Sequence, residues 1–250
     1  MTAGVPLLEV RGLTKSFGGL TAVRDVDLTL QQDEILGLIG PNGAGKTTLF
    51  NLLSGSLPRD AGSIRLRGRE IAGSPAHRTC QLGLARTFQV PRPFLSLTVF
   101  ESVLVGASFG RRGGGEAPWA RAERCLRLAR LLRRRDSRVA ALNLAERKRL
   151  DLARALATRP YALLVDEVAA GLNPSEVKET VHILRRIHEG GVGIIYVEHV
   201  MDAVMGVSHR VQVIDRGRTI AVGSPGEVTR NPTVIEAYLG GSDGGGESDG

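Results

Sequence analysis

The 250-residue sequence contains few aromatic residues, two cysteines and no long apolar run. Because a membrane-spanning helix needs about 20 consecutive apolar residues, the sequence predicts no such helix. Cys80 and Cys125 lie far apart and away from any histidine cluster, which argues against a disulfide framework and a zinc site. Residues 1–10 lack the basic-then-apolar order of a signal peptide, so we expect a cytosolic chain.

The composition is that of a protein with a buried core. Hydrophobic residues make up 42% of the chain and charged residues 24%, which excludes the disordered and fibrous classes. The length fits one compact domain, or one domain with a small insert.

Hydrophobic periodicity predicts strands that alternate with helices, which indicates an α/β fold with a mostly parallel sheet. The predicted strands are 7–13, 22–30, 34–39, 162–165, 193–197, 211–214 and 219–222, and the predicted helices include 46–54 and 175–188. From about residue 91 to 157 we expect an inserted helical subdomain. One amphipathic helix in it is predicted from apolar Ala122, Cys125, Leu126, Ala129 and Leu132 opposite Arg124, Arg127, Arg130 and Arg134. Residues 240–250, rich in Gly, Ser and Asp, are expected to form a disordered tail.

The strongest motif is a phosphate-binding loop, Gly-Pro-Asn-Gly-Ala-Gly-Lys-Thr at residues 40–47, between an apolar strand and a helix. Its glycines let the backbone wrap closely around a polyphosphate, whose oxygens face the backbone amides and the helix dipole. Lys46 adds a full positive charge, and Thr47 is a candidate Mg²⁺ ligand. The candidate nucleotide-binding residues of this loop are Gly40, Asn42, Gly43, Ala44, Gly45, Lys46, Thr47 and Thr48.

A second motif is an apolar strand that ends in two carboxylates, Asp166 and Glu167. Adjacent acids are not tolerated inside a buried strand, so we expect them at the strand end beside the phosphate loop. Asp166 is then suited to hold Mg²⁺ through water, and Glu167 to polarise a water for attack on a γ-phosphate. A solvated strand end is the plainer alternative, and the phosphate loop favours the catalytic interpretation.

These motifs occur in the order found in ABC transporter ATPase subunits, which the sequence resembles from about residue 7 to 239. The resemblance is most specific to the ATPase subunits of branched-chain amino-acid importers. The segments that carry it are Phe17–Leu20, the phosphate loop, Arg86–Gln89, residues 142–156, Asp166-Glu167, residues 170–174, His199 and Val234–Leu239.

The resemblance implies a P-loop ABC ATPase core with an antiparallel β subdomain and the helical insert, as a single domain over residues 7–239. It implies that the chain binds ATP and Mg²⁺ and hydrolyses ATP. The expected partners are a second ATPase subunit, identical or related, integral membrane permeases and, indirectly, an extracytoplasmic solute-binding protein, but no nucleic acid. The expected location is peripheral, on the cytoplasmic face of the plasma (inner) membrane.

The resemblance also assigns roles to single residues. Phe17 matches the aromatic residue that stacks on adenine, and Gln89 matches the glutamine that touches Mg²⁺ and the attacking water. His199 matches the switch histidine that contacts the γ-phosphate, and together with Gln89, Lys46 and Glu167 it forms the expected catalytic set. Without the resemblance, Phe17 would be interpreted as a core aromatic residue, Gln89 as a surface residue and His199 as a structural histidine.

The signature segment departs from the family pattern. Its usual sequence Leu-Ser-Gly-Gly-Gln reads Leu142-Asn143-Leu144-Ala145-Glu146 here. In the family this segment caps the ATP of the opposite subunit, so Asn143 and Ala145 are expected to contact nucleotide. Ala145 adds a methyl group where the backbone approaches phosphate, and Glu146 is expected to bring a carboxylate near an anion.

Positive charge is concentrated in residues 111–149, which hold 13 Lys and Arg against 4 Asp and Glu. Three interpretations are open: a solvated helical face, a nucleic-acid contact, or a contact with a permease and anionic lipid head groups. No interleaved aromatics or DNA-reading motif accompany the arginines, which weakens the second interpretation. The family's permeases dock against the helical subdomain, which favours the third over the second.

Two other functional classes remain as alternatives. A non-transport ABC ATPase acting on nucleic acid or ribosomes would need a tandem ATPase half or a long coiled-coil insertion, and this sequence has neither. A P-loop kinase would lack the signature segment. The transported solute rests on the resemblance alone, since related importers carry amides, urea or aromatic acids.

Overall fold

Two β-sheets organise the chain, of which this computed structural model describes residues 5–89, 94–111 and 113–239. The antiparallel sheet has the order β2-β1-β4-β5 and consists of β1 (Leu8–Phe17), β2 (Leu20–Leu30), β4 (Ala61–Leu66) and β5 (Arg69–Glu70). The larger sheet has the order β10-β9-β3-β8-β7-β6 and consists of β3 (Ile35–Ile39), β6 (Leu84–Arg86), β7 (Ala162–Asp166), β8 (Gly193–Val197), β9 (Arg210–Asp215) and β10 (Arg218–Gly223).

The larger sheet is parallel except at β10, which pairs antiparallel with β9. Its strands β3, β7 and β8 are buried at every position, because helices cover one face of the sheet and the antiparallel sheet, together with a helix, covers the other. The predicted α/β class, with a mostly parallel core sheet and an antiparallel β subdomain, is confirmed.

The helices are α1 (Lys46–Leu53), α2 (Ala76–Leu82), α3 (Val99–Phe109), α4 (Pro118–Leu128), α5 (Leu144–Ala157), α6 (Pro174–Glu189), α7 (Met201–Met205), α8 (Pro225–Val228) and α9 (Pro232–Leu239). Three of them, α3, α4 and α5, follow β6 in the chain, pack on one another and precede β7, which makes them the inserted helical subdomain. No helix within the described residues is both long enough and apolar enough to cross a membrane.

Local sequence explains where several helices begin. A capping box, in which a polar residue and a glutamate three positions later exchange hydrogen bonds with each other's backbone N–H, opens four of them. The pairs are Thr98 with Glu101, Asn143 with Glu146, Asn173 with Glu176 and Ser224 with Glu227.

Two hydrophobic clusters lie on opposite faces of the larger sheet, and the side-chain alternation of its strands separates them. In β3, Leu36 and Leu38 join the cluster beneath the antiparallel sheet and α1. Ile35 and Ile39 join the cluster shared with the helical subdomain and α6. The sheet therefore separates the two cores, and packing on both of its faces holds the strand ends in place.

The predicted amphipathic helix is shorter than its pattern suggested. Ala122 and Cys125 are buried as expected, but α4 ends at Leu128. Arg130 adopts a left-handed conformation with φ of 56°, which a continuing α-helix does not allow, and a 3₁₀ turn at Leu132–Arg134 follows. The predicted tail at 240–250 and the first residues of the predicted insert, 91–93, lie outside the described residues.

Candidate functional site

The phosphate loop joins β3 to α1, and sterics require two of its glycines. A Cβ at Gly40 would lie 2.0 Å from the carbonyl oxygen of Ile214, and a Cβ at Gly45 would lie 2.3 Å from that of Ala22. Gly45 also has a φ of 102°, a conformation that L side chains rarely adopt. The loop is thus wedged between β2 and β9, which leaves its amides at the start of α1 free to face a ligand.

Lys46 is buried, and its ammonium group lies inside the loop that precedes it. Its Nζ donates to the carbonyl oxygens of Gly40 at 2.6 Å and of Pro41 at 2.8 Å. An ammonium group has three N–H donors, so one remains for an anion in the cleft. Burial lowers the pKa of Lys46, and the negative charges of Glu167 and Asp166 partly oppose that shift.

A cleft of about 290 Å³ opens over this loop and collects residues from distant parts of the sequence. It is lined by Ala22, Asn42, Gly43, Ala44, Gly45, Lys46, Thr47, Thr48, Gln89, Glu167 and His199. The fold therefore brings the phosphate loop together with three of the residues singled out from the sequence, Gln89, Glu167 and His199.

Glu167 lies at the centre of this group, with both carboxylate oxygens in hydrogen-bond contact. Gln89 donates from Nε2 to Oε2 at 2.5 Å, and Nε2 of His199 lies 2.8 Å from Oε1. These two contacts aim the carboxylate into the cleft. A carboxylate oxygen has more than one acceptor site, so each can also accept a hydrogen bond from water.

Asp166 ends β7 and is paired with Arg86 at the end of the neighbouring strand β6. Arg86 Nη2 lies 2.7 Å from Oδ2 of Asp166, and Arg86 Nη1 donates to Oδ1 of Asn51 at 2.6 Å. Burial raises the pKa of Asp166, and the guanidinium group opposes that rise. The sequence predicts no role for Arg86, because a pair between the ends of two strands, 80 positions apart, leaves no local pattern.

Phe17 and the signature residues lie apart from the described lining of this cleft. Phe17 ends β1 with its side chain about half exposed, so the ring is accessible for stacking. Asn143 caps α5, where its Oδ1 accepts the backbone N–H of Glu146 at 2.8 Å, and the next residue but one, Ala145, is buried.

The carboxylate of Glu146, which the sequence predicts to lie near an anion, has two partners within this chain. It accepts the backbone N–H of Asn143 at 3.1 Å and lies 3.2 Å from Nε of Arg134. Its charge is therefore partly balanced within this chain.

Comparisons with known proteins agree over nearly the whole chain. Residues 23–170 match the family model described as ABC transporter, and residues 218–244 match the one described as branched-chain amino acid ATP-binding cassette transporter. The high-affinity branched-chain amino acid transport ATP-binding protein LivG of Salmonella typhimurium is 41% identical, over 94% of this chain and 98% of that protein. The corresponding BraF of Pseudomonas aeruginosa is 39% identical over 94% and 98%.

Solved structures show the same architecture. The crystal structure of the ADP conformation of MJ1267, an ATP-binding cassette of an ABC transporter, superposes with a TM-score of 0.85. The two sequences are 26% identical, and the match covers 94% of this chain and 99% of the MJ1267 chain.

Proposed function

Because this chain belongs to the ABC transporter ATP-binding family and is an ATPase, we propose that it energises an importer of branched-chain amino acids. The observation that carries the catalytic part is the carboxylate of Glu167, held between Gln89 and His199 over the phosphate loop. The choice of solute is supported by the C-terminal family match and by the names of LivG and BraF.

In the proposed mechanism, the phosphate loop binds the polyphosphate of ATP. The loop amides and Lys46 donate hydrogen bonds to its oxygens, and Phe17 stacks on the adenine ring. Asn143 and Ala145 serve the nucleotide of a second ATPase subunit. These contacts hold the γ-phosphate in the cleft that Glu167 faces.

Hydrolysis then follows from the arrangement around Glu167. The carboxylate accepts a proton from a water molecule while the water oxygen bonds to the γ-phosphorus. The bond from the γ-phosphorus to the bridging oxygen breaks, and the electron pair leaves with ADP. Gln89 and His199 keep the carboxylate aimed, and His199 also contacts the γ-phosphate.

The oxygen donors in the cleft and at the adjoining end of β7 fit Mg²⁺. This ion prefers oxygen ligands, keeps several waters and is usually held by one or two carboxylates together with substrate phosphates. Thr47 offers a hydroxyl and Asp166 a carboxylate, and Gln89 has its amide oxygen left because Nε2 faces Glu167. When bound, Mg²⁺ neutralises charge on the phosphate oxygens.

We further propose the assembly in which this activity is used. The chain pairs with an identical or related ATPase subunit and docks on integral membrane permeases at the cytoplasmic face of the inner membrane. An extracytoplasmic binding protein delivers the solute. Closing and reopening of the ATPase pair is converted into movement of the permeases.

Uptake by cells tests this proposal. Deleting this chain from its host should abolish high-affinity uptake of labelled leucine, isoleucine and valine, and wild-type protein should restore it. The Glu167→Gln variant, expressed to the same level, should not. Unchanged uptake of all three amino acids after deletion would contradict the proposed solute class.

A further inference from the structure

The backbone that carries Glu167 is in an unusual conformation. Its φ is 45°, in the left-handed region that residues other than glycine adopt only at a cost in free energy. Such a conformation persists when neighbouring groups hold it. Two buried charged side chains, those of Lys148 and Glu198, are among the groups that hold this turn. The sequence motifs and the proposed mechanism assign no role to either residue.

Lys148 reaches this turn from the helical subdomain. It lies in the second turn of α5 and is 5% exposed, and its Nζ donates to the backbone carbonyl oxygen of Glu167 at 2.9 Å. The ammonium group is also within electrostatic reach of Glu198 and of the Glu167 carboxylate. A buried cation therefore acts on the main chain of the proposed catalytic residue.

Glu198 reaches the same turn from the core sheet. It follows β8 directly and is 2% exposed. Its Oε1 accepts the backbone N–H of Ala169 at 2.5 Å, and its Oε2 accepts that of His199 at 3.1 Å. One buried carboxylate thus ties the residues after Glu167 to the backbone of His199.

Helix α5, which carries Lys148, also supports Gln89, one of the two residues that contact the Glu167 carboxylate. Asp151, one helical turn beyond Lys148, accepts the backbone N–H of Phe88 at 2.9 Å. Phe88 directly precedes Gln89, whose amide contacts Glu167. The buried face of α5 therefore supports the Glu167 turn and the Gln89 segment together.

We propose that Lys148 and Glu198 are positioning residues for ATP hydrolysis. They hold the carbonyl of Glu167 and the amide of Ala169, so that the Glu167 side chain stays between Gln89 and His199. This inference rests on the proposed catalytic role of Glu167. Neither residue lines the described part of the nucleotide cleft, so both act through the turn and leave phosphate binding to the loop.

Removing the Lys148 ammonium should lower the rate without lowering nucleotide affinity. In Lys148→Met, the Glu167 carbonyl loses its donor and Glu198 loses its neighbouring cation, which frees the turn to shift. A small displacement of a catalytic group can cost about 100-fold in rate. Lys148→Arg keeps a charged donor and should recover most of the lost rate. Lys178→Met is the matched control, because Lys178 is exposed on α6.

The experiment measures single-turnover ATP hydrolysis by excess full-length protein and, in parallel, MgATP binding. We expect the rate of Lys148→Met to fall by about 10- to 100-fold while the dissociation constant changes by less than about threefold. Lys178→Met should match the wild type in both. A Lys148→Met rate equal to that of the wild type overturns the proposal, and so does a loss of rate that parallels a loss of affinity.

Glu198→Gln supplies an independent test if Lys148→Met does not fold. It keeps an oxygen acceptor and removes the charge, and we expect a lower rate with unchanged MgATP affinity. In the double variant the two effects should be less than additive, because both act on one turn. Wild-type rates in Glu198→Gln, or fully additive effects, would overturn the shared role. Absence of hydrolysis in the wild type, both alone and in the assembled transporter, would instead refute the proposed function.

Discussion

The guanidinium group of Arg86 lies 2.7 Å from the carboxylate of Asp166, and both side chains are more than nine-tenths buried. The two residues end neighbouring parallel strands, β6 and β7. The backbone N–H of Asp166 also donates to the Thr87 hydroxyl at 3.0 Å. Asp166, a proposed Mg²⁺ ligand, is therefore oriented by the end of β6 before any ligand arrives.

Removing the Arg86 charge should destabilise the protein strongly. In Arg86→Met the buried Asp166 carboxylate loses its cation, and breaking a buried pair in this way costs about 3–5 kcal/mol. Urea unfolding of the nucleotide-free protein measures the change. Arg11→Met is the control, because Arg11 forms an exposed pair with Glu9 that should contribute less than about 1 kcal/mol. Equal small effects in both variants would contradict the structural importance of the Arg86 pair.

The altered signature segment should make this chain a weak partner in trans. Asn143 and Ala145 stand where the family usually has serine and glycine, and losing one donor of this kind typically costs about 100-fold in rate. The triple change Asn143→Ser, Ala145→Gly and Glu146→Gln should therefore raise single-turnover hydrolysis, without tightening ATP binding to the monomer.

The contacts of Glu146 sharpen this expectation. Because its carboxylate is paired with Arg134, the single change Glu146→Gln should contribute less to the gain than the other two changes. Hydrolysis is compared at matched concentrations with dimerisation confirmed. Equal rates for wild type and triple variant would mean that the segment serves phosphate as well as the commoner sequence does.

Residues 111–149, in which positive charge is concentrated, should favour association with membranes. Arg127 and Arg130 are exposed and lie 3.3 and 3.4 Å from Glu123 and Glu179, so their charges are partly balanced within the chain. Reversing both arginines to Glu should still weaken association with permease-containing membranes at low salt, and leave ATP binding unchanged.

The matched control for this reversal is the same change at two exposed arginines of the antiparallel sheet, Arg11 and Arg65. It should leave membrane association as in the wild type. Membranes are fractionated at low and high salt. If reversal of Arg127 and Arg130 changes association at neither salt, the segment is a solvated face.

Elements of the core could be predicted because their pattern is local. The strand Gly193–Val197 was predicted with the bounds that the structure shows, since a central parallel strand is a continuous apolar run. Strand β6 was missed, because its three residues are too short to show a period. The end of α4 was also missed, since nothing in the apolar spacing reveals the left-handed Arg130.

The candidate site also has a part that the sequence predicts and a part that it does not. Motifs of consecutive residues, such as the phosphate loop, could be recognised, and the resemblance placed Gln89, Glu167 and His199 in one site. The side-chain pairs that hold these residues in place could not be predicted. Arg86 pairs with a residue 80 positions away, and Lys148 acts on one 19 positions away. Glu198 did carry a signal, because like Asp166 it is an acid at the end of an apolar strand.

Glu167→Gln tests the central claim most directly. The amide keeps the shape of the side chain and cannot accept the proton of water, so steady-state ATP turnover should fall by about 100-fold or more. MgATP affinity should stay within about threefold of the wild type, because the phosphate loop supplies the binding contacts. Glu189→Gln, an exposed change at the end of α6, should alter neither quantity. Turnover near the wild-type value in Glu167→Gln, with nucleotide bound, would contradict the role assigned to this carboxylate.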